Sequence, residues 1–219
     1  MQRQLEPEVM DSLEEAIEYD AMDFTEVNTA FAKQAIALGP KEPGLVLDAG
    51  TGTGRIPILI AQMRPQWQII AIDLAENMLQ IASEHIQEKG LQQQIRSELV
   101  DAKKLPYADG LFDLVISNSL VHHLPEPVMF FSELKRVTKL NSGIFIRDLF
   151  RPANEEAMNT LVDSIGVEYN EHQKKLFRDS LHAALTLDEV NQLIADVGLI
   201  GVKVYQSSDR HWTAERSWY

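Results

Sequence analysis

The sequence predicts an α/β protein built on a doubly wound, mostly parallel sheet, and three observations predict it. Short, continuous apolar runs bounded by turn residues recur along the chain, as in Leu45-Val46-Leu47 and Ile69-Ile70-Ala71-Ile72, which suits strands covered on both faces. Amphipathic helical stretches separate these runs. A glycine-rich turn follows the first run directly and leads into a helical pattern.

Residues 7–37 read as one or two helices, because Val9, Leu13, Ala16 and Ile17 recur at three- and four-residue steps and Phe24, Val27, Phe31, Ala35 and Ile36 continue them. Leu38-Gly39-Pro40 ends that pattern, and 44–48 is the first strand. A helix begins near Arg55, where Pro57 is tolerated in the first turn. There follow a strand over 68–72, a helix over 75–89 closed by Gly90, strands over 95–100 and 111–117, a helix over 127–139 and a strand over 143–148. Strands alternating with helices give βαβ crossovers. Residues 152–186 read as helical, with Met158, Leu161, Val162 and Ile165 on one stripe and Leu176, Leu181 and Leu185 on another. Thr186-Leu187-Asp188-Glu189 opens a further helix ending near Gly198. Two last strands are expected over 201–206 and 209–218. The expected organisation is one domain over 1–219: an N-terminal helical segment (1–40), a core (41–150), a helical insert (151–186), and a C-terminal helix with strands (187–219).

Composition excludes several classes. The chain has no cysteine, so disulfides, thiolate metal sites and cysteine nucleophiles are ruled out. Apolar stretches are short, with 56–63 broken by Pro57 and Gln62, well below the roughly 20 residues a membrane span needs. Residues 1–10 carry Glu6 and Glu8 and no apolar segment of a secretory signal, so a cytoplasmic location is expected. The 20 Lys and Arg against 33 Asp and Glu give a formal charge of −13 with no basic run, which argues against a nucleic-acid partner. Residues 1–40 hold 2 basic and 9 acidic side chains, whereas 41–140 hold 10 and 12.

The strongest local signal is Asp48-Ala49-Gly50-Thr51-Gly52-Thr53-Gly54 between strand and helix. Glycine lets the chain turn sharply and lets backbone approach a ligand, while the helix behind offers oriented N–H groups. A dinucleotide fingerprint G-x-G-x-x-G read from Gly50 requires glycine at 55, where this chain has Arg55. Nicotinamide-dependent hydride chemistry is therefore the weaker reading.

Asp48-x-Gly50-x-Gly52-x-Gly54 resembles the first motif of class I S-adenosylmethionine-dependent methyltransferases. The resemblance implies a three-layer, Rossmann-like, seven-stranded sheet with an antiparallel last strand, and S-adenosyl-L-methionine as cofactor. It implies that Asp48, Ala49, Gly50, Thr51, Gly52 and Gly54 face the methionine half. Asp73, ending the second strand, would accept both ribose hydroxyls, with Leu74 beside it; a helix cap for the following segment is the other reading of Asp73. Asp101 would hold the adenine amino group with Ala102 against the ring, and Asn118 would line the transferring methyl group. Where the family commonly has Ser or Thr two residues after the ribose acid, this chain has Ala75. Tyr19-Asp20 resembles a tyrosine-containing lid over the cofactor, so the acidic N-terminal segment would cover a cationic sulfonium.

The expected function is methyl transfer by direct displacement to a small-molecule acceptor. A non-catalytic cofactor-binding protein is the rival reading. Candidate bases for an acceptor that must lose a proton are His122, His123 and Asp148. No metal is expected, since adjacent histidines are taken to point apart and no partner acid has ligand spacing. Arg147 and Asp148 are read as an ion pair tying the sheet to the insert or as substrate contacts, and 208–212 as a segment lining the acceptor pocket. The acceptor itself and the oligomeric state are not legible in the sequence.

Overall fold

The computed structural model describes residues 1–9, 12–165 and 169–219. In chain order its elements are α1 (Leu13–Asp20), α2 (Thr25–Leu38), β1 (Leu45–Ala49), α3 (Arg55–Met63), β2 (Gln68–Asp73), α4 (Glu76–Glu88), β3 (Ile95–Leu99) and β4 (Phe112–Asn118). A 3₁₀ turn over Val121–His123 leads to α5 (Pro127–Val137), β5 (Thr138–Leu149), α6 (Glu155–Ser164), α7 (Glu171–Ala183), α8 (Leu187–Val197), β6 (Lys203–Gln206) and β7 (His211–Arg216). One seven-stranded sheet has the order β3-β2-β1-β4-β5-β7-β6. Pairing is parallel from β3 to β5, and β7 runs antiparallel to both of its neighbours.

Alternation along each strand sends side chains to two apolar layers. Val46, Ile69, Ala71, Leu114, Ile116 and Phe145 meet Phe31 and Ala35 of α2 and Ile58, Ile60 and Ala61 of α3. Leu47, Ile70, Ile72, Val115, Ile144 and Ile146 meet Phe130, Phe131, Leu134 and Val137 of α5 and Val190 and Ile194 of α8. The predicted class is therefore the one observed: helices cover both faces of a largely parallel sheet. Among the described residues no helix is long and apolar enough to cross a membrane.

Local chemistry sets the boundaries that differ from the sequence reading. The first helix starts at Leu13 rather than near Pro7, because Ser12 and Glu15 form a capping box there. The last strand before the insert begins at Thr138, not Gly143, since α5 already ends at Val137. Gly143 is required inside that strand: a Cβ there would sit 2.4 Å from the Leu38 carbonyl oxygen at the end of α2. The stretch read as one helical insert is two helices, capped by Asn154 and by Asn170 with Gln173, with residues 166–168 outside the described ones. Thr186 and Glu189 form the capping box expected at α8.

Candidate functional site

The carboxyl ends of β1, β2 and β4 form one rim, and the glycine turn occupies its centre. Gly50, Gly52 and Gly54 all have positive φ, at 75°, 54° and 76°, where an L side chain is strained. A Cβ on Gly50 would meet Leu120 at 3.0 Å and one on Gly54 would meet Ala82 at 2.9 Å. Gly52 faces open space apart from the Tyr19 ring at 3.8 Å. The backbone at Gly52 is thus the part of the turn left bare for a ligand.

Carboxylates hold that turn. Asp48, only 2% exposed, accepts the Thr51 hydroxyl at 2.7 Å, and the Gly50 and Thr51 amides bond the Ile72 carbonyl. Burial, opposed by Thr51 and aided by the charge of Asp73, raises the Asp48 pKa to about 7. Its side chain faces the protein. Asp73 accepts the Gly52 amide at 2.8 Å on one oxygen and the Ala75 amide at 3.0 Å on the other. Burial raises its pKa against these bonds. It therefore caps α4, where Ala75 itself supplies no side-chain cap, while lying beside the bare turn. Leu74 is 39% exposed on the same rim and Ala102 is buried below it. Asp101, after β3, accepts the Lys103 amide at 2.8 Å and its ammonium at 2.9 Å. Asn118 ends β4, and the next residue, Ser119, holds φ 58°, a strained non-glycine conformation of the kind that collects at functional sites.

The N-terminal segment reaches this rim and the histidine pair through Tyr19 and through the charged groups of Asp20, Glu8, Glu6 and Arg3. Tyr19 packs on Phe24 with ring centroids 5.4 Å apart and lies over Gly52. Asp20 binds Arg55 at 3.0 Å and faces His85 at 3.3 Å. Upstream, Glu8 pairs with Lys103, beside Asp101. Glu6 lies 3.0 Å from His123 Nδ1 and 3.5 Å from His122 Nε2. Arg3 donates to the carbonyls of Ala183, His122 and Leu124 at 2.6, 3.1 and 2.9 Å. Three of the nine acids in residues 1–40, Glu6, Glu8 and Asp20, thus face basic groups of the core rather than a cofactor.

The three candidate bases share one cluster. Asp148 is fully buried. It accepts His122 Nδ1 at 2.5 Å and the Val121, His122 and Leu149 amides at 2.5, 3.3 and 2.7 Å. Burial alone would raise its pKa, but His122 and these donors hold it below the usual range. Burial pulls His122 down, yet Asp148 and then Glu6 raise it overall. Two expectations are corrected here. The adjacent histidines do not point apart, because the tight 3₁₀ turn stacks their rings at 4.1 Å and 36°. A partner acid does exist, Glu6, distant in sequence.

Arg147 and Asp148 are not an ion pair: neighbours on a strand face opposite ways. Arg147 lies over the Phe31 and Phe145 rings and reaches Gln34, on the Asn118 side by register. Arg151, two residues past β5, bonds the Ala184 carbonyl at the end of α7 at 2.9 Å and Glu189 of α8 at 2.7 Å, beside the bridge between Phe150 and Leu185. Trp212 is fully buried in the core, and Arg210 turns onto Phe177, so these two members of 208–212 serve packing.

A family model described as a methyltransferase domain matches residues 41–204. The chain belongs to that family. Its class is the S-adenosylmethionine-dependent class I implied by the motifs. The chain is 30% identical over 168 residues to the malonyl-[acyl-carrier protein] O-methyltransferase of Geobacter sulfurreducens, covering 77% of this chain and 60% of that one. It is 31% identical over 115 residues to the demethylmenaquinone methyltransferase of Lactobacillus johnsonii, covering 52% and 47%. The chain thus spans about half to three fifths of these relatives' lengths. The fold matches a SAM-dependent methyltransferase of Aquifex aeolicus with TM-score 0.68 at 21% identity, over 95% of this chain and 99% of that one.

The rim suits the family's cofactor in its donor set: a bare glycine backbone, an adjacent carboxylate with two acceptor oxygens for a vicinal diol, and an apolar shelf of Leu74 and Ala102. Sequence reasoning missed Arg3, Glu6, Glu8 and His85. Glu6 and Glu8 entered only as charge, and Arg55 only as a helix start and an absent glycine.

Proposed function

We propose that this methyltransferase transfers a methyl group from S-adenosyl-L-methionine to a small-molecule acceptor. The observation that carries the reading is that Gly52, Asp73, Asp101 and Asn118 all lie at or just past the carboxyl ends of neighbouring parallel strands, with Asp73 on the Gly52 amide and Tyr19 over Gly52. Bound there, the cofactor supplies an electrophilic methyl on a good leaving group. Asp73 and the Gly52 backbone bind its ribose and methionine portions, Asp101 and Ala102 its adenine, and Tyr19 excludes water from above.

The residues beyond Asn118 receive the acceptor. Positioning acceptor and methyl in line in a dry site supplies most of the acceleration such a displacement needs. Asp148 has its oxygens committed to four donors, so it is a positioning residue that fixes the His122 ring. An acceptor proton, where one must leave, goes to the His122 and His123 edge. The acid-bearing and quinone-type relatives suit an acceptor that is a metabolite or is carried by a carrier protein.

Incubating the protein with S-adenosylmethionine labelled in its methyl group and fractionated cell metabolites tests this. Label is expected in one small-molecule fraction, with S-adenosylhomocysteine formed in equal amount. Calorimetry that finds NADH binding and no S-adenosylhomocysteine binding would overturn it.

A further inference from the structure

We propose that Glu6, His122 and His123 form a binding site for one divalent transition-metal ion of the zinc or ferrous type. Glu6 Oε1 is 3.0 Å from His123 Nδ1 and 3.5 Å from His122 Nε2, and the three ligand atoms lie within 4.8 Å of one another. Nitrogen and oxygen ligands at about 2.0–2.2 Å from a tetrahedral or octahedral ion stand about 3.0–3.5 Å apart, so two of the three edges already have that length.

The surroundings of the histidines agree. His122 gives its Nδ1 to Asp148, which fixes the tautomer and aims Nε2 at Glu6; a ligating histidine is characteristically held by a carboxylate in this way. His123 Nδ1 is buried with no hydrogen-bond partner, although Glu6 is within 3.0 Å. Its approach is misaligned for a hydrogen bond, and a cation between the two would use both lone pairs. Glu6 is only 10% exposed and its other side-chain contact is the Ser180 hydroxyl at 3.2 Å. Two imidazoles with one carboxylate favour zinc, iron or cobalt over the oxygen-seeking magnesium and calcium. Glu6 and Asp148 together balance a double positive charge. The neighbouring Arg3 is engaged with carbonyl oxygens.

Such an ion would clamp the N-terminal strap to the 3₁₀ turn that walls the acceptor side. An ion there would occupy the imidazole lone pairs that otherwise take an acceptor proton; the test uses no turnover, so its failure and that of the methyl-transfer reading are distinguishable. The full chain, stripped by dialysis against chelator, is titrated with Co2+ and Zn2+; bound metal is counted by elemental mass spectrometry and the Co2+ visible spectrum gives the coordination. One ion per chain is expected, with affinity at least tenfold weaker in Glu6→Gln and in His123→Ala, and with Zn2+ raising the melting temperature of the wild type alone. Circular dichroism establishes that the variants fold. Less than stoichiometric binding by the wild type, or equal binding by the folded double variant E6Q/H123A, would overturn it.

Discussion

The Asp20 carboxylate grips the Arg55 guanidinium at 3.0 Å, and the Asp20 carbonyl takes a second bond from it at 2.5 Å. Arg55 occupies the first position of α3, immediately behind the glycine turn. A residue that replaces a glycine of the dinucleotide fingerprint is therefore one of the anchors of the N-terminal segment. The pair is partly solvated, so it contributes about 0.5–1.5 kcal/mol. Arg55→Ala is expected to weaken S-adenosylhomocysteine binding roughly two- to tenfold and to speed proteolysis within residues 1–24. Calorimetry and timed digestion check this, and unaltered digestion would show that the lid is held elsewhere.

Asp73 has two jobs, capping α4 and facing the bare turn. Asp73→Asn keeps the cap acceptor on one oxygen but loses the charge toward a diol. Affinity for S-adenosylhomocysteine should fall by the roughly 1.5–3 kcal/mol of a charged hydrogen bond, tenfold or more by calorimetry. The melting temperature should change less than in Asp73→Ala, which loses the cap as well.

Gly50→Ala forces a Cβ onto Leu120 and a side chain into the left-handed region. The backbone part costs roughly 1–2 kcal/mol. Gly90→Ala is the control, since its φ is 68° with no atom within 4 Å of the added Cβ. In calorimetric scans the Gly50 variant should melt below the Gly90 variant, by roughly 2–4 °C per kcal/mol of excess cost. Equal melting temperatures would mean that Leu120 simply moves aside.

Asp48 titrates near neutrality in the folded protein and near 4 when unfolded. Between those values the folded state holds the extra proton. Stability from this residue is thus greatest below about pH 4 and falls as pH rises toward 7, by up to roughly 1.4 kcal/mol per pH unit. Asp48→Asn keeps an acceptor for Thr51 and removes the titration, so the difference in urea-unfolding free energy between variant and wild type should grow from pH 4 to pH 7. A constant difference would refute the shift.

The sheet was legible because each buried strand is a short apolar run and because glycine punctuates the one turn that must bend sharply. The place of Asp48, Asp73, Asp101 and Asn118 was legible because each lies at or within two residues of a strand end, and the ends of parallel strands share a rim. The lid contacts were not. Arg3, Glu6 and Glu8 touch groups that lie about 95 to 180 residues away, and no periodicity encodes such pairing. The facing of Arg147 and Asp148 was readable in principle from strand alternation, but charge complementarity suggested a pair that the pleat forbids. The histidine stack depended on a 3₁₀ turn whose sequence, Val121-His122-His123, carries no capping signal.

None of residues 1–9 is fully buried. They touch in turn Ala153, Ala183, the histidine pair and Lys103 before α1 meets Arg55. A cover fastened by separate polar contacts peels like tape, one attachment at a time, rather than swinging as a rigid flap. On the proposed function, its Tyr19 end covers the cofactor rim and its Glu6 end lies at the histidine pair on the acceptor side. On that reading, acceptor and spent cofactor would exchange with solvent at different moments of a cycle, each by lifting its own end of the same short segment.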